Sequence, residues 1–215
     1  MTALAARERS GLCDDALAAG PDAPTLCEGW SVRDLLVHLH VRDGRPDVAL
    51  GEAAGRLLPA LGRRAGRVQQ DLAALPFGEL VERVRSGPPA WSPARAGAVD
   101  ELVNLAEFFT HREDVRRAQD GWAPRELDAQ ESRALWRTAR TLARVAYHRS
   151  GVGVVLVVPD GPRAAVRKGV PAVTLTGQPQ ELLLHAFGRR SRARVEVGGF
   201  PQAVHRFQQA FPAAG

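Results

Sequence analysis

The sequence has few cysteines and no long apolar run. Its 215 residues include 2 cysteines, too few for a disulfide framework, and the spacing of Cys13 and Cys27 matches no zinc motif. No stretch approaches the roughly 20 apolar residues that a transmembrane helix needs. The first residues also lack the basic-then-apolar order of a signal peptide. We therefore expect a cytoplasmic protein that does not engage a membrane.

Lysine is almost absent as well, since Lys168 is the single lysine and arginine carries the remaining basic charge. The formal net charge of +5 at pH 7 would by itself favour a nucleic-acid partner. The arginines, however, are scattered among acidic residues, and their short clusters at 63–64, 116–117 and 189–190 belong to no nucleic-acid motif. We expect a solvated basic face and no nucleic-acid partner.

Residues 101–118 predict a long helix with polar residues beside its apolar stripe. Glu107 and His111 lie four residues apart, so a carboxylate oxygen and an imidazole nitrogen lie one turn apart and both reach one metal ion. Asp114 is placed to orient the imidazole or to add an oxygen ligand. The same spacing also fits an ordinary solvated pair, so the metal interpretation depends on a third ligand from elsewhere.

The third ligand is found on a second predicted helix, which begins at Ser31. Asp34 follows three residues later, a carboxylate version of the capping box. His38 lies at the edge of this helix's apolar stripe and, taken alone, fits a core histidine. Together with Glu107 and His111 it completes two histidines and one carboxylate, a composition typical of metal sites with open positions. Asp34, one turn before His38, either orients that histidine or only caps its own helix.

Two of these segments resemble a known family. Residues 29–39, GWSVRDLLVHL, are similar to the G-W-[ST]-x-x-D-[LV]-x-x-H-L signature of the DinB-like superfamily, specifically its mycothiol-dependent maleylpyruvate isomerase branch. Glu107, His111 and Asp114 match the E-x-x-x-H-x-x-D pattern of that branch. Residues 25–30 and 104–114 also resemble those of a group of actinobacterial proteins described only as metal-binding.

The resemblance covers residues 1–150 and implies a mainly α fold, a DinB-like four-helix bundle. It implies a divalent metal, usually zinc, held by His38, Glu107 and His111. It also implies that a low-molecular-weight thiol such as mycothiol binds the ion, which lowers the thiol pKa and produces a nucleophile at neutral pH.

Outside the motifs, the pattern predicts the remaining elements of two domains. Further helices are expected at 2–19, at 53–75 with an interruption near Pro59, and at 128–148, where the last closes the bundle of domain 1–150. Residues 77–84 are expected to form a short amphipathic turn or helix. A proline-containing loop at 87–93 carries Trp91. Strands at 152–158, 172–176 and 194–197 and helices at 178–187 and 201–211 predict a small α+β module, 151–215. Its residues 177–189 are similar to the C-terminal domain of the isomerase branch.

The expected function is therefore a metal-dependent, thiol-dependent transferase or isomerase. The thiolate would attack a small electrophilic substrate, in either an isomerisation or an S-transfer, and the protein would be a monomer or a homodimer. The alternative is a non-catalytic metal-binding or ligand-binding bundle with a sensing or structural role. Arg33 and Arg112 are the arginines nearest to the ligands in sequence, although each also fits a solvated helix residue. Cys27 could approach the metal region, but nothing around it marks an activated thiol, and no catalytic or thiol-binding residue is assigned.

Overall fold

The computed structural model describes residues 3–44, 59–87 and 98–213, with side chains for 4–43, 66–87 and 102–213. The chain divides into two compact units, Met1–Ala123 and Pro124–Gly215. Among the described residues, no helix combines the length and the apolar character needed to cross a membrane. The prolines and Trp91 of the loop at 87–93, and Leu57 and Leu58 of the predicted helix at 53–75, lie outside the described residues.

The first unit is helical. Its helices are α1 (Ala3–Ala19), α2 (Val32–Gly44), α3 (Pro59–Ala73), α4 (Phe77–Ser86) and α5 (Ala98–Arg116). Helix α1 packs against α5 and α4, and α2 packs against α4 and α3. Side chains that recur at helical spacing are fully buried between them, and they include Leu12, Leu35, Leu36, Leu39, Leu80 and Phe108.

The beginning of α2 shows the predicted capping box. The Ser31 backbone N–H donates to Asp34 Oδ2 at 2.9 Å, and the Asp34 backbone N–H donates to Ser31 Oγ at 3.3 Å. Two backbone donors that the helix cannot satisfy are thereby paired. This fixed starting point sets which residues of α2 face the core, and it places His38 at the edge of the buried stripe.

The second unit combines three helices with a small sheet. Its elements are α6 (Ala129–Ala146), β1 (Gly153–Val157), β2 (Arg163–Arg167), β3 (Ala172–Thr176), α7 (Pro179–Ala186), β4 (Glu196–Gly199) and α8 (Pro201–Ala210). The strand order is β2-β1-β3-β4. β1 and β3 are parallel and pair Val154 with Val173, whereas β2 and β4 are antiparallel edges. Val154, Leu156, Val173 and Leu175 are buried, so the central strands form the core of this unit.

A predicted mainly α fold followed by a small α+β module is confirmed. Strand β2 was not predicted, because its sequence RAAVR lacks the β-branched run of a buried strand. Such a sequence is tolerated in β2 because it is an edge strand in which Arg163 and Ala165 are exposed and only Val166 is buried.

Helix α6 has the predicted capping box and packs against a helix of its own unit. The Asp128 side chain accepts hydrogen bonds from the backbone of Gln130 and Glu131, as predicted. The helix packs against α7 and belongs to the unit Pro124–Gly215, and its predicted closure of the first bundle stays a prediction. An amphipathic pattern shows that one face is buried but not which element covers it. The domain bounds 1–150 and 151–215 stay a prediction.

Candidate metal centre

The three predicted ligands converge. His38 on α2 and Glu107 and His111 on α5 place one donor atom each within 4.8 Å of one another. His111 Nε2 lies 3.3 Å from Glu107 Oε2, and the rings of His38 and His111 meet edge to face with centroids 5.7 Å apart. His111 is buried, while His38 and Glu107 are half-buried. The helices thus bring together two imidazoles and a carboxylate, and their role as metal ligands stays a prediction.

Asp114 lies directly behind His111. Its Oδ2 atom is 2.9 Å from His111 Nδ1, and the carboxylate is fully buried. A carboxylate on one ring nitrogen fixes the orientation of the imidazole and directs the other nitrogen to the opposite side. Asp114 therefore occupies the orienting position that its spacing from His111 predicted.

His111 and Glu107 shift each other's pKa. Burial disfavours the imidazolium of His111, but hydrogen bonds with Asp114, Cys27 and Glu107 outweigh burial and raise the pKa of His111 to about 10. Burial would raise the pKa of Glu107, yet the hydrogen bond with His111 and the charge of Arg42 lower the pKa of this carboxyl. These side chains therefore form a compact network of opposite charges.

Asp34 makes the contacts of a helix cap. Besides the backbone N–H of Ser31, its Oδ2 atom accepts the Ser31 hydroxyl at 2.6 Å. Asp34 lines the same cavity as His38. The capping alternative is thus formed in the structure, and an orienting role toward His38 stays a prediction.

A cavity of about 540 Å³ lies beside His38. Trp30 forms one wall, with its ring centroid 5.0 Å from that of His38, and Gln69 and Gln70 of α3 form another. This volume matches that of small-molecule pockets. A small molecule in this cavity would contact one of the three convergent residues.

Arg42 is a site residue that the sequence interpretation did not assign. Its Nε atom lies 3.6 Å from Glu107 Oε2, and its Nη1 atom donates to Asn104 Oδ1 at 2.9 Å. Its spacing in the sequence could have identified it, because Arg42 follows His38 by four residues and so lies on the same side of α2. The positive charge of Arg42 partly offsets that of the Glu107 carboxylate.

Cys27 also reaches the centre. Its Sγ atom lies 3.3 Å from Asp114 Oδ2 and 3.9 Å from His111 Nδ1. No spacing rule links Cys27 to these residues, since more than eighty positions separate them. Only the path of the loop between α1 and α2 places the thiol here.

The two arginines considered from sequence are engaged elsewhere. Arg33 donates to the carbonyl oxygens of Ala73 and Leu75 at 2.8 and 2.9 Å. Arg112 donates to Asp15 Oδ2 at 2.6 Å. Both side chains therefore join helices of the first unit.

Comparisons with known proteins show a family likeness in residues 2–90 and a likeness in fold over most of the chain. Residues 2–90 match the family model described as the mycothiol maleylpyruvate isomerase N-terminal domain. The resemblance to this superfamily is confirmed. The matched segment includes His38 and Asp34 and ends before Glu107 and His111.

A solved structure extends the likeness in fold to most of the chain. The crystal structure of the mycothiol-dependent maleylpyruvate isomerase superposes with a TM-score of 0.58 at 18% sequence identity, covering 91% of this chain and 90% of that one. At this identity the likeness establishes the fold, so the predicted DinB-like fold is confirmed. No curated protein matches the sequence.

Proposed function

We propose that this chain is a thiol-dependent enzyme whose His38, Glu107 and His111 hold a divalent ion, with zinc as the expected ion. The convergence of these three donor atoms within 4.8 Å carries the proposal. The substrate is a small electrophile that binds in the cavity beside His38. The superfamily supports mycothiol or a similar small thiol as the co-substrate.

The residues present fit a catalytic ion better than a structural one. Structural zinc sites are closed by four protein ligands and are rich in cysteine, whereas catalytic sites use three protein ligands and keep an open position. Asp114 holds Nδ1 of His111, so Nε2 of that ring faces Glu107. When bound, the ion would lower the pKa of a coordinated thiol and so supply a nucleophile at neutral pH.

The chain's own residues orient and enclose the reactants. Asp114 fixes the His111 ring, and Arg42 restrains the Glu107 carboxylate through its charge. Trp30 covers one side of His38 and forms an apolar wall. The amides of Gln69 and Gln70 offer both donors and acceptors to a polar substrate or thiol. The reaction is thiol addition to an electrophilic carbon, followed by elimination in an isomerisation or by loss of a leaving group in an S-transfer.

Metal content of purified variants tests the site. We expect His38→Ala to lower the metal content by about one ion per chain, measured by elemental analysis. His40→Ala is the matched control, because this histidine lies on the same helix but outside the convergent set, and it should retain the ion. Equal metal content in the wild type and His38→Ala would contradict the ligand assignment.

Thiol binding distinguishes a thiol-dependent enzyme from a non-catalytic metal-binding bundle. The metal-loaded wild type should bind a small thiol, and the metal-free protein and His38→Ala should bind it much more weakly, as measured by isothermal titration calorimetry. A metal-loaded protein that does not bind thiols would support the non-catalytic metal-binding bundle instead.

A further inference from the structure

His111 presents its two ring nitrogens to two different sets of donor atoms. Nε2 faces Glu107 at 3.3 Å, within the set described above. Nδ1 lies 2.9 Å from Asp114 Oδ2 and 3.9 Å from Cys27 Sγ, and the sulfur is 3.3 Å from that same carboxylate oxygen. A thiol, an imidazole and a carboxylate therefore meet on the side of the ring opposite to Glu107.

The loop holds this cysteine in place by backbone hydrogen bonds. Leu26 N–H donates to the carbonyl oxygen of Asp114 at 3.1 Å, which joins the loop to α5. Cys27 N–H donates to Thr25 Oγ1 at 3.1 Å, and Trp30 N–H donates to the Cys27 carbonyl oxygen at 3.0 Å. The thiol is thus held in position before any ion binds, as a preorganised metal site requires.

We propose that Cys27 Sγ, His111 Nδ1 and Asp114 Oδ2 form a second divalent-cation site, selective for thiophilic ions such as Zn²⁺ or Cd²⁺. Around tetrahedral zinc, neighbouring nitrogen and oxygen ligands lie about 3.4 Å apart, and sulfur lies about 3.6 Å from either, given the usual bond lengths. The two sulfur separations differ from these values by about 0.3 Å and the nitrogen–oxygen separation by about 0.5 Å. Small side-chain movements therefore suffice to admit an ion.

The charges of this donor set suit a divalent cation. A thiolate and a carboxylate together supply two negative charges, and Asp114 is fully buried, where an ion would be weakly screened. Binding displaces the thiol proton and the Nδ1 proton to solvent. Because the two sites use opposite nitrogens of one ring, both can be filled together, with the imidazolate of His111 bridging the ions. This inference does not depend on the thiol chemistry of the proposed function.

Cadmium titration of the metal-free full chain in thiol-free buffer tests the second site. Native mass spectrometry counts the bound ions, and ultraviolet absorption reports a thiolate-to-cadmium charge-transfer band. The wild type should bind two ions and show the band. Cys27→Ala should bind one ion without the band, whereas His38→Ala should lose the other ion and keep the band.

Cys13 provides a matched control. It is buried, its Sγ atom contacts the carbonyl oxygen of Val81 at 3.7 Å, and burial raises its pKa to about 11, so it should contribute no thiolate. Cys13→Ala should therefore behave as the wild type does.

Two results would overturn the inference, one in the wild type and one in Cys27→Ala. Absence of the thiolate band would mean that Cys27 only donates a hydrogen bond to Asp114, and a band that survives in Cys27→Ala would place the sulfur ligand elsewhere. Retention of the band in His38→Ala would show that the second site stands even if the first assignment fails.

Discussion

His111 Nδ1 and Asp114 Oδ2 are 2.9 Å apart, and both side chains are buried in the first unit. This contact leaves Nε2 of His111 directed toward Glu107. An imidazole oriented by a carboxylate is a more basic and better positioned ligand than a free one. The contact therefore predicts that Asp114 contributes to the affinity of the metal site formed by His38, Glu107 and His111.

Replacing Asp114 with Asn should lower the affinity for the ion at His38, Glu107 and His111 by about 10-fold to 100-fold. This is the usual effect of removing a carboxylate that orients a ligand histidine. The measurement is zinc competition with a chromophoric chelator in a Cys27→Ala background, so that only the site with His38 and Glu107 is observed. Asp22→Asn, at an exposed loop position, is the control and should leave the affinity unchanged. An affinity for Asp114→Asn equal to that of the control would show that the hydrogen bond has no role in binding.

Arg9 of α1 and Asp43 of α2 form a buried ion pair, with Nη2 and Oδ2 2.6 Å apart and 3% and 7% of the side chains exposed. The guanidinium also lies 4.1 Å above the Phe108 ring and donates to the Val84 carbonyl oxygen at 3.0 Å. Asp43→Asn should destabilise the protein by about 3–5 kcal/mol, because it leaves a buried charge without its counter-ion. Urea unfolding followed by circular dichroism measures this loss.

The exposed pair of Glu79 and Arg83 is the matched control for this prediction. Its atoms are also close, at 2.8 Å, but nearly half of each side chain is exposed. Glu79→Gln should cost at most about 1 kcal/mol, since water already screens the charges. Similar losses in the two variants would indicate that the Arg9 charge finds other compensation.

In the second unit, the Tyr147 hydroxyl lies 2.6 Å from His185 Nδ1, and both residues are buried. Burial, with a smaller effect of the Arg190 charge, lowers the pKa of His185 from 6.5 to about 4. Between these values the unfolded chain binds a proton that the folded chain does not, so stability falls as the pH decreases from 6.5 toward 4. The contribution reaches about 3 kcal/mol if the full shift applies.

His185→Gln should remove this part of the pH dependence. The measurement is the free energy of unfolding in urea at pH 7 and pH 4.5 for the wild type and the variant, and the difference between the proteins isolates His185 from other titrating groups. His205→Gln, at an exposed position of α8, should keep the wild-type dependence. An identical pH dependence in His185→Gln would exclude a buried neutral imidazole.

Local sequence determined the starts of α2 and α6 and the candidate ligands. Capping residues such as Ser31 with Asp34 and Asp128 with Glu131 define helix starts, because their contacts span only three residues. The spacing of Glu107, His111 and Asp114 places them on adjacent turns of one helix. His38 could be added from its motif, and the structure brings it to the same place.

Only the tertiary structure decided which distant groups meet. It places α6 against α7, Arg42 beside Glu107, and Cys27 behind His111. Periodicity identifies the face that a helix buries, but the partner depends on long-range packing among several apolar faces of similar character. A loop cysteine carries no periodic signal at all, so its contact with Asp114 follows from the backbone path and not from any local pattern.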